Sequence, residues 1–180
     1  ENPFKLIAGV MKDLGAANGK LGIAPSTRGF VIFGLRKDAP ELELVNGGVV
    51  TEGCRAVKSE KEIAFMDLAN KITKLAYKEG FKRLREGMTP RELSSAISAA
   101  HQQMGVSGGG GPQFGLSSAF PHGSRVPRTL KDGDAIVVDG GCSVEGYRSD
   151  VTRTVIFGNA TDKQKKVWEI VRRSQVEALK

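Results

Sequence analysis

Asp134-Ala-Ile-Val-Val-Asp-Gly-Gly-Cys-Ser-Val-Glu-Gly-Tyr-Arg-Ser-Asp-Val-Thr-Arg-Thr-Val-Ile-Phe157 decides how this chain is read. Residues 135–138 and 151–157 are rich in β-branched side chains, and residues 143–146 between them suit a hairpin turn. With the turn centred between Val144 and Glu145, antiparallel pairing sets Asp139 directly opposite Asp150. Both side chains then leave the same face, with Cβ atoms about 5 Å apart. Two carboxylates at that range repel by about 3 kcal/mol at an effective dielectric of about 20, against less than about 1 kcal/mol in water. Burial of such a pair calls for a cation or a shared proton.

Taken singly, Asp139-Gly-Gly and Ser149-Asp150 are equally ordinary turn-formers on a solvated hairpin. The same register places Thr152 opposite Val137 on the carboxylate side, where its hydroxyl can hold an Asp150 oxygen from behind. Oxygen-rich ligation suits a hard or borderline divalent ion, and a bridging carboxylate suits two ions about 3.5 to 4 Å apart. Residue chemistry alone leaves a metal site and a bare turn as even alternatives.

Three segments carry a more specific signal: Phe120-Pro-His-Gly123, Leu130-Lys-Asp-Gly-Asp-Ala-Ile-Val-Val-Asp-Gly-Gly141 and Gly146-Tyr-Arg-Ser-Asp-Val-Thr-Arg-Thr154. In order, spacing and flanking residues they resemble the pita-bread metallopeptidases. That family includes methionine aminopeptidase, Xaa-Pro aminopeptidase, Xaa-Pro dipeptidase (prolidase) and creatinase. The resemblance implies that Asp139 and Asp150 are metal ligands, Asp150 bridging two divalent ions (Mn, Co or Zn). It also implies that His122 is the catalytic histidine that contacts substrate near the scissile bond. An imidazole there could donate to the scissile amide or to the developing oxyanion. A turn residue between Pro121 and Gly123 is the plainer reading of the same histidine.

Upstream, Cys54-Arg-Ala-Val-Lys-Ser-Glu-Lys-Glu-Ile-Ala-Phe-Met66 is similar to the junction at which the Xaa-Pro enzymes and creatinase pass into their catalytic domain. Leu21-Gly-Ile-Ala-Pro-Ser-Thr-Arg28 and Glu41-Leu-Glu-Leu-Val45 resemble the last strands and helix of the preceding domain. The implied fold class is α+β: residues 1–53 as the tail of an α/β creatinase-type amino-terminal domain, and residues 54–180 as the first half of a pita-bread domain. The implied activity is hydrolysis of N-terminal Xaa-Pro bonds through a hydroxide shared by two divalent ions, on peptides with proline at the second position. A creatinase-like amidinohydrolase and a non-enzymatic peptide-binding module on the same fold are the rivals. The presence of both aspartates argues against each.

The family's other ligands are one histidine and two glutamates from a second, pseudo-symmetric half. Here the histidines are His101 and His122, and after Asp150 the only carboxylates are Asp162, Glu169 and Glu177, in a segment that reads as one solvated helix. The chain is therefore expected to be an internal fragment, inactive alone, of a protein that is a homodimer at full length.

Composition adds bounds. With 180 residues and 39% hydrophobic content a core is within reach. No apolar run approaches the roughly 18 residues of a membrane span, so no membrane association is expected. Cys54 and Cys142 form no metal or redox spacing, and a reducing cytoplasm is the default compartment. The net charge of +7 is carried on two helical segments, one with Lys71, Lys74, Lys78, Lys82, Arg83 and Arg85, the other with Lys163, Lys165, Lys166, Arg172 and Arg173. No recognition motif or aromatic stacking platform accompanies them, so solvated helix faces are expected rather than a nucleic-acid site.

Caps organise the rest. Residues 59–62 form a capping box before the apolar positions Ile63, Phe65, Leu68, Ile72 and Leu75, predicting a helix to about Gly80. Residues 89–92 form another, with proline at the first helical position, the stripe Leu93, Ala96, Ile97, Ala100 and Met104, and Gly105 as the stop. His101 borders that stripe and reads as a packing or surface residue. Residues 161–164 cap a third helix, whose Val167, Trp168, Ile170 and Val171 are expected in the core. Residues 107–115, glycine-rich but without a Gly-Lys-Ser/Thr ending, read as a mobile loop at the active-site rim rather than a phosphate loop.

Overall fold

The computed structural model describes residues 2–124, 126 and 128–180, which fall into two compact units, Glu1–Ser59 and Glu60–Lys180. In the first, helix α1 (Pro3–Asp13) starts at Asn2, whose side chain accepts from Phe4 N at 2.9 Å. Strand β1 (Lys20–Ile23), helix α2 (Gly29–Asp38) and strand β2 (Glu43–Asn46) form a parallel β-α-β unit, Lys20 pairing with Glu43 and Ile23 with Asn46. Helix α3 (Gly48–Ala56) follows. Leu35, Ala39 and Leu42 are buried. The two segments read as the end of an α/β domain are thus β1 with the approach to α2, and β2.

The second unit packs helices α4 (Glu60–Phe81) and α5 (Pro90–Gln103) on one face of an antiparallel sheet. Strand β3 (Gly108–Phe114) pairs with β4 (Ala135–Val144) along its whole length. On the other side of β4 the chain returns as β5 (Tyr147–Arg148) and β6 (Val151–Ile156), and helix α6 (Asp162–Ala178) ends the unit. The core lies between helices and sheet and includes Tyr77, Met88, Leu93, Ile97, Phe114, Leu130, Ile136, Val138 and Val151.

The capping boxes at Thr89 and Thr161 form as their residue types dictate: Glu92 N meets Thr89 Oγ1 at 3.2 Å and Gln164 N meets Thr161 Oγ1 at 3.2 Å. Helix α4 spans the predicted length but turns a different face inward. Its buried residues are Ala69, Thr73, Ala76, Tyr77 and Gly80, while Ile63, Leu68 and Leu75 are about half exposed, at 50%, 47% and 53%. Close approach helps select this face: a Cβ on Gly80 would sit 2.6 Å from Ile97 Cγ1, so glycine lets α4 come near α5 at that point.

Two further expectations are corrected. Most of residues 107–115 is a strand, Gly108–Phe114, rather than a mobile loop, and its glycines answer to crowding. A Cβ on Gly108 would lie 2.6 Å from the His101 ring, and one on Gly110 2.7 Å from Val138 Cγ1. In α6, Val167, Trp168, Ile170 and Val171 are not core, being exposed by 51–54%. The helix has no buried residue, and at its amino-terminal end Gln164 donates to Gly133 O at 2.9 Å. Among the described residues no helix is long and apolar enough to cross a membrane.

Candidate metal and substrate site

The hairpin that carries both aspartates closes on a two-residue turn, Glu145-Gly146, with Ser143 opposite Arg148 and Val144 opposite Tyr147. Both turn residues have positive φ, 50° and 84°, as a type I′ turn requires. The turn thus falls one residue later than expected, which moves each pairing by two. Asp139 stands opposite Thr152, and Val137 opposite Thr154, rather than Asp139 opposite Asp150. The shift is an even number, so no side chain changes face. Val138, Cys142, Ser149 and Val151 are buried against the helices, while Asp139, Asp150 and Thr152 are exposed on the other face. Asp150 is therefore a diagonal neighbour of Asp139, a relation that spans about 7 to 8 Å in a regular ladder.

Thr152 supports a carboxylate, but not the expected one. Its Oγ1 donates to Asp139 Oδ1 at 2.6 Å, where the earlier register had it behind Asp150. This fixes one oxygen of Asp139 and leaves Oδ2 without a hydrogen-bond partner among the described residues.

His122 comes to the same face from a different segment. After β3 the chain makes a 3-10 turn (Gly115–Ala119) and then a tight turn in which Gly123 N donates to Phe120 O at 3.0 Å. Glycine is needed at both ends of this excursion. Gly115, at φ 51°, lies against the Arg128–Asp134 ion pair, and Gly123, at φ 69°, against the amide of Gln113. His122, Asp139 and Thr152 line one open cavity of about 510 Å³ with Gly111, Gln113, Phe120, Pro121 and Val137. Asp150 does not line it.

Beneath the hairpin lies a set of hydroxyls to which the sequence drew no attention. Tyr77 Oη donates to Val151 O at 3.0 Å, and Thr73 Oγ1 meets Ser149 Oγ at 2.8 Å. Burial, then the charges of Asp139 and Asp150, push the Tyr77 hydroxyl up to about 12, with Arg153 opposing. Both carboxylates thus act on one point under the strand. His101 is buried, with Nδ1 3.0 Å from Ile97 O and Nε2 3.4 Å from Thr73 Oγ1. It is a packing residue, and burial holds it below its ordinary pKa. The only sequence clue to these hydroxyls was the i, i+4 spacing of Thr73 and Tyr77, masked by larger apolar residues elsewhere on α4.

As a metal site the donor set fits in kind and is short in number. Two oxygen ligands on one face suit a divalent ion, yet no group of three or more potential ligands occurs among the described residues.

The model for metallopeptidase family M24 matches residues 64–180. A Xaa-Pro dipeptidase of Pyrococcus horikoshii is 33% identical over 165 residues, covering 88% of this chain and 46% of its own. The crystal structure of an X-Pro aminopeptidase from Thermotoga maritima superposes with a TM-score of 0.85 at 26% identity, over 99% of this chain and 51% of that one. The prolidase structure from Pyrococcus horikoshii gives 0.80 at 31% identity, over 93% and 50%. The chain thus spans about half the length of the relatives it matches.

Proposed function

The chain belongs to metallopeptidase family M24, and on that premise we propose that it forms part of an enzyme that hydrolyses the bond between an N-terminal residue and a following proline. The observation that carries the proposal is the placing of Asp139 and Asp150 on one exposed sheet face, with Asp139 oriented by Thr152 beside a cavity walled by His122. The prolidase and aminopeptidase relatives support the substrate class.

Asp139 and Asp150 would hold the divalent ions, and the remaining ligands would come from a histidine and two glutamates outside these 180 residues. Metal bound there would lower the pKa of a coordinated water and polarise the scissile carbonyl. The chain's own residues do the rest. Thr152 keeps Asp139 in one rotamer. His122 presents an imidazole proton to the substrate amide or its oxyanion from the cavity wall. Phe120, Pro121 and Val137 supply an apolar lining against which a pyrrolidine ring can pack. The exposed apolar residues of α4 and α6, together with the hairpin face, are where we place the rest of the catalytic domain.

The test uses the full-length protein, with Xaa-Pro dipeptides and longer peptides bearing proline at the second position. Asp150→Asn is expected to abolish turnover and release metal from one or both positions, and His122→Ala to lower turnover with metal content intact. Unchanged metal and turnover in Asp150→Asn would overturn the proposal. Residues 1–180 alone are expected to hydrolyse nothing.

A further inference from the structure

The loop that presents Asp150 is held from below by a single helix. Thr73 and Tyr77 lie one turn apart on α4 and both reach the returning strand: Thr73 Oγ1 meets Ser149 Oγ at 2.8 Å, and Tyr77 Oη donates to Val151 O at 3.0 Å. These contacts flank Asp150 on either side, at the one place where the returning strand leaves the ladder, between β5 and β6. Ser149 N still donates to Cys142 O at 3.0 Å, but Cys142 N donates to Ser149 Oγ at 2.9 Å, so a side chain replaces one of the two backbone bonds a regular pair makes there. One turn earlier on α4, the Cys142 thiol points at Ala69 O at 3.4 Å. All of these side chains are buried. The Asp150 carboxylate faces the other way and is exposed.

We infer that Thr73 and Tyr77 are positioning residues for Asp150, an α4 clamp that fixes the height and rotation of its backbone so that its carboxylate meets the metals in one orientation. The inference rests on the reading of Asp150 as a metal ligand. A clamp is needed because only one backbone bond, from Ser149 N to Cys142 O, ties this stretch to β4, whereas Asp139 sits within paired strand and has Thr152 besides. Hydroxyls suit the task. Buried, they are held by directed bonds, Tyr77 Oη by Val151 O and Thr73 Oγ1 by Ser149, Cys142 and His101, and Tyr77, pushed up to about 12, keeps its proton at neutral pH.

The experiment measures Co²⁺ and Mn²⁺ affinity by chelator competition in the full-length protein, with thermal unfolding and steady-state kinetics alongside. Variants are Tyr77→Phe, Thr73→Val, both together, Thr73→Ser as the conservative rescue, and Tyr147→Phe as a control that removes a hydroxyl elsewhere on the hairpin. Tyr77→Phe and Thr73→Val are expected to weaken binding of at least one metal by about 10-fold each, within the range seen when partners behind a ligand are removed. Thr73→Ser and Tyr147→Phe should retain wild-type affinity. A lowered melting temperature with unchanged affinity in both single variants would make the hydroxyls merely structural and overturn the inference. If the double variant fails to fold, Tyr77→Phe decides alone, because it removes one oxygen from a ring that stays packed. Asp150→Asn separates the two readings. Metal lost there but kept in the hydroxyl variants would sink the clamp only, and metal kept in Asp150→Asn would sink the ligand assignment itself.

Discussion

Thr152 and Asp139 stand opposite each other across the β4–β6 ladder, and the Thr152 hydroxyl donates to Asp139 Oδ1 at 2.6 Å. The bond runs between exposed side chains, so its worth to folding is small. Its effect is to choose a rotamer and to direct the free carboxylate oxygen.

Thr152→Val keeps the shape and removes the donor. In the full-length protein it is expected to lower metal affinity or kcat/KM by about 10- to 100-fold, and to shift unfolding by under about 1 kcal/mol. Thr152→Ser should restore most of the loss. Chelator competition and denaturant melts on the three proteins check this, and equal affinity in Thr152→Val would show that Asp139 needs no orientation.

Gly110 lies where β3 passes over Val138 and Tyr77, and an added Cβ would be 2.7 Å from Val138 Cγ1 and 3.2 Å from Tyr77 Cε1. Neither neighbour can retreat, since both are fully buried. Gly110→Ala should therefore destabilise by about 1 to 3 kcal/mol, as overpacking does. Gly53 and Gly133 have open space around the same position, but Gly133 has φ 77° and is strained by any side chain, so Gly53→Ala is the fitting control. Urea unfolding of the two variants compares them directly, and a neutral Gly110→Ala would mean the strand is looser than its packing implies.

Many of the helices and strands were legible because they are written in local chemistry, whereas the class of the fold and the choice of Asp139, Asp150 and His122 rest on the resemblance to the pita-bread metallopeptidases. Capping boxes start α5 and α6, β-branched runs mark β4 and β6, and glycine follows the aspartate where strands crowd. Register was not legible. Glu145 is not a residue that announces a type I′ turn, so the turn was placed one residue early and Thr152 was given to the wrong aspartate. Burial was misread where the tertiary partner set it. Residues 107–115 were taken for a loop because glycine signals flexibility locally, whereas here His101, Cys142 and Val138 leave room for nothing larger. On α4 the apolar pattern is dominated by Ile63, Leu68 and Leu75, while the buried face carries Ala69, Thr73, Ala76, Tyr77 and Gly80. In α6 the helix forms as its cap and periodicity predict, but its apolar side meets no partner that buries it among the described residues.

His101 links stability to pH. Burial lowers its pKa from the ordinary 6.5, partly offset by the hydrogen bond to Ile97 O, so the folded protein favours the neutral ring. Above 6.5 neither state binds the proton and the contribution is complete. As pH falls from 6.5 through the lower folded value, the unfolded chain takes up the proton first, and stability drops. Melting temperature should therefore decline as pH falls below about 6.5, and the decline should be shallower in His101→Gln. Identical pH profiles would place the titration elsewhere.

Glu145 is the one non-glycine residue with positive φ among those described, at 50°, and it precedes Gly146 in the two-residue turn that sets the site's register. A left-handed conformation costs an ordinary residue about 1 to 2 kcal/mol, and asparagine bears it more readily because its short amide bonds locally. Asn-Gly is also the preferred pair for a type I′ turn. Glu145→Asn is thus expected to stabilise the protein by up to about 1 kcal/mol, seen as a higher urea midpoint with unchanged slope. It leaves Asp139 opposite Thr152, so peptidase turnover in the full-length protein should not move. Glu145→Val should do the reverse, since a β-branched residue resists positive φ, and the register it guards would loosen with it. Should Glu145→Val lose stability without losing metal affinity, the ladder beyond the turn, rather than the turn itself, would be what holds Asp139 and Thr152 in line.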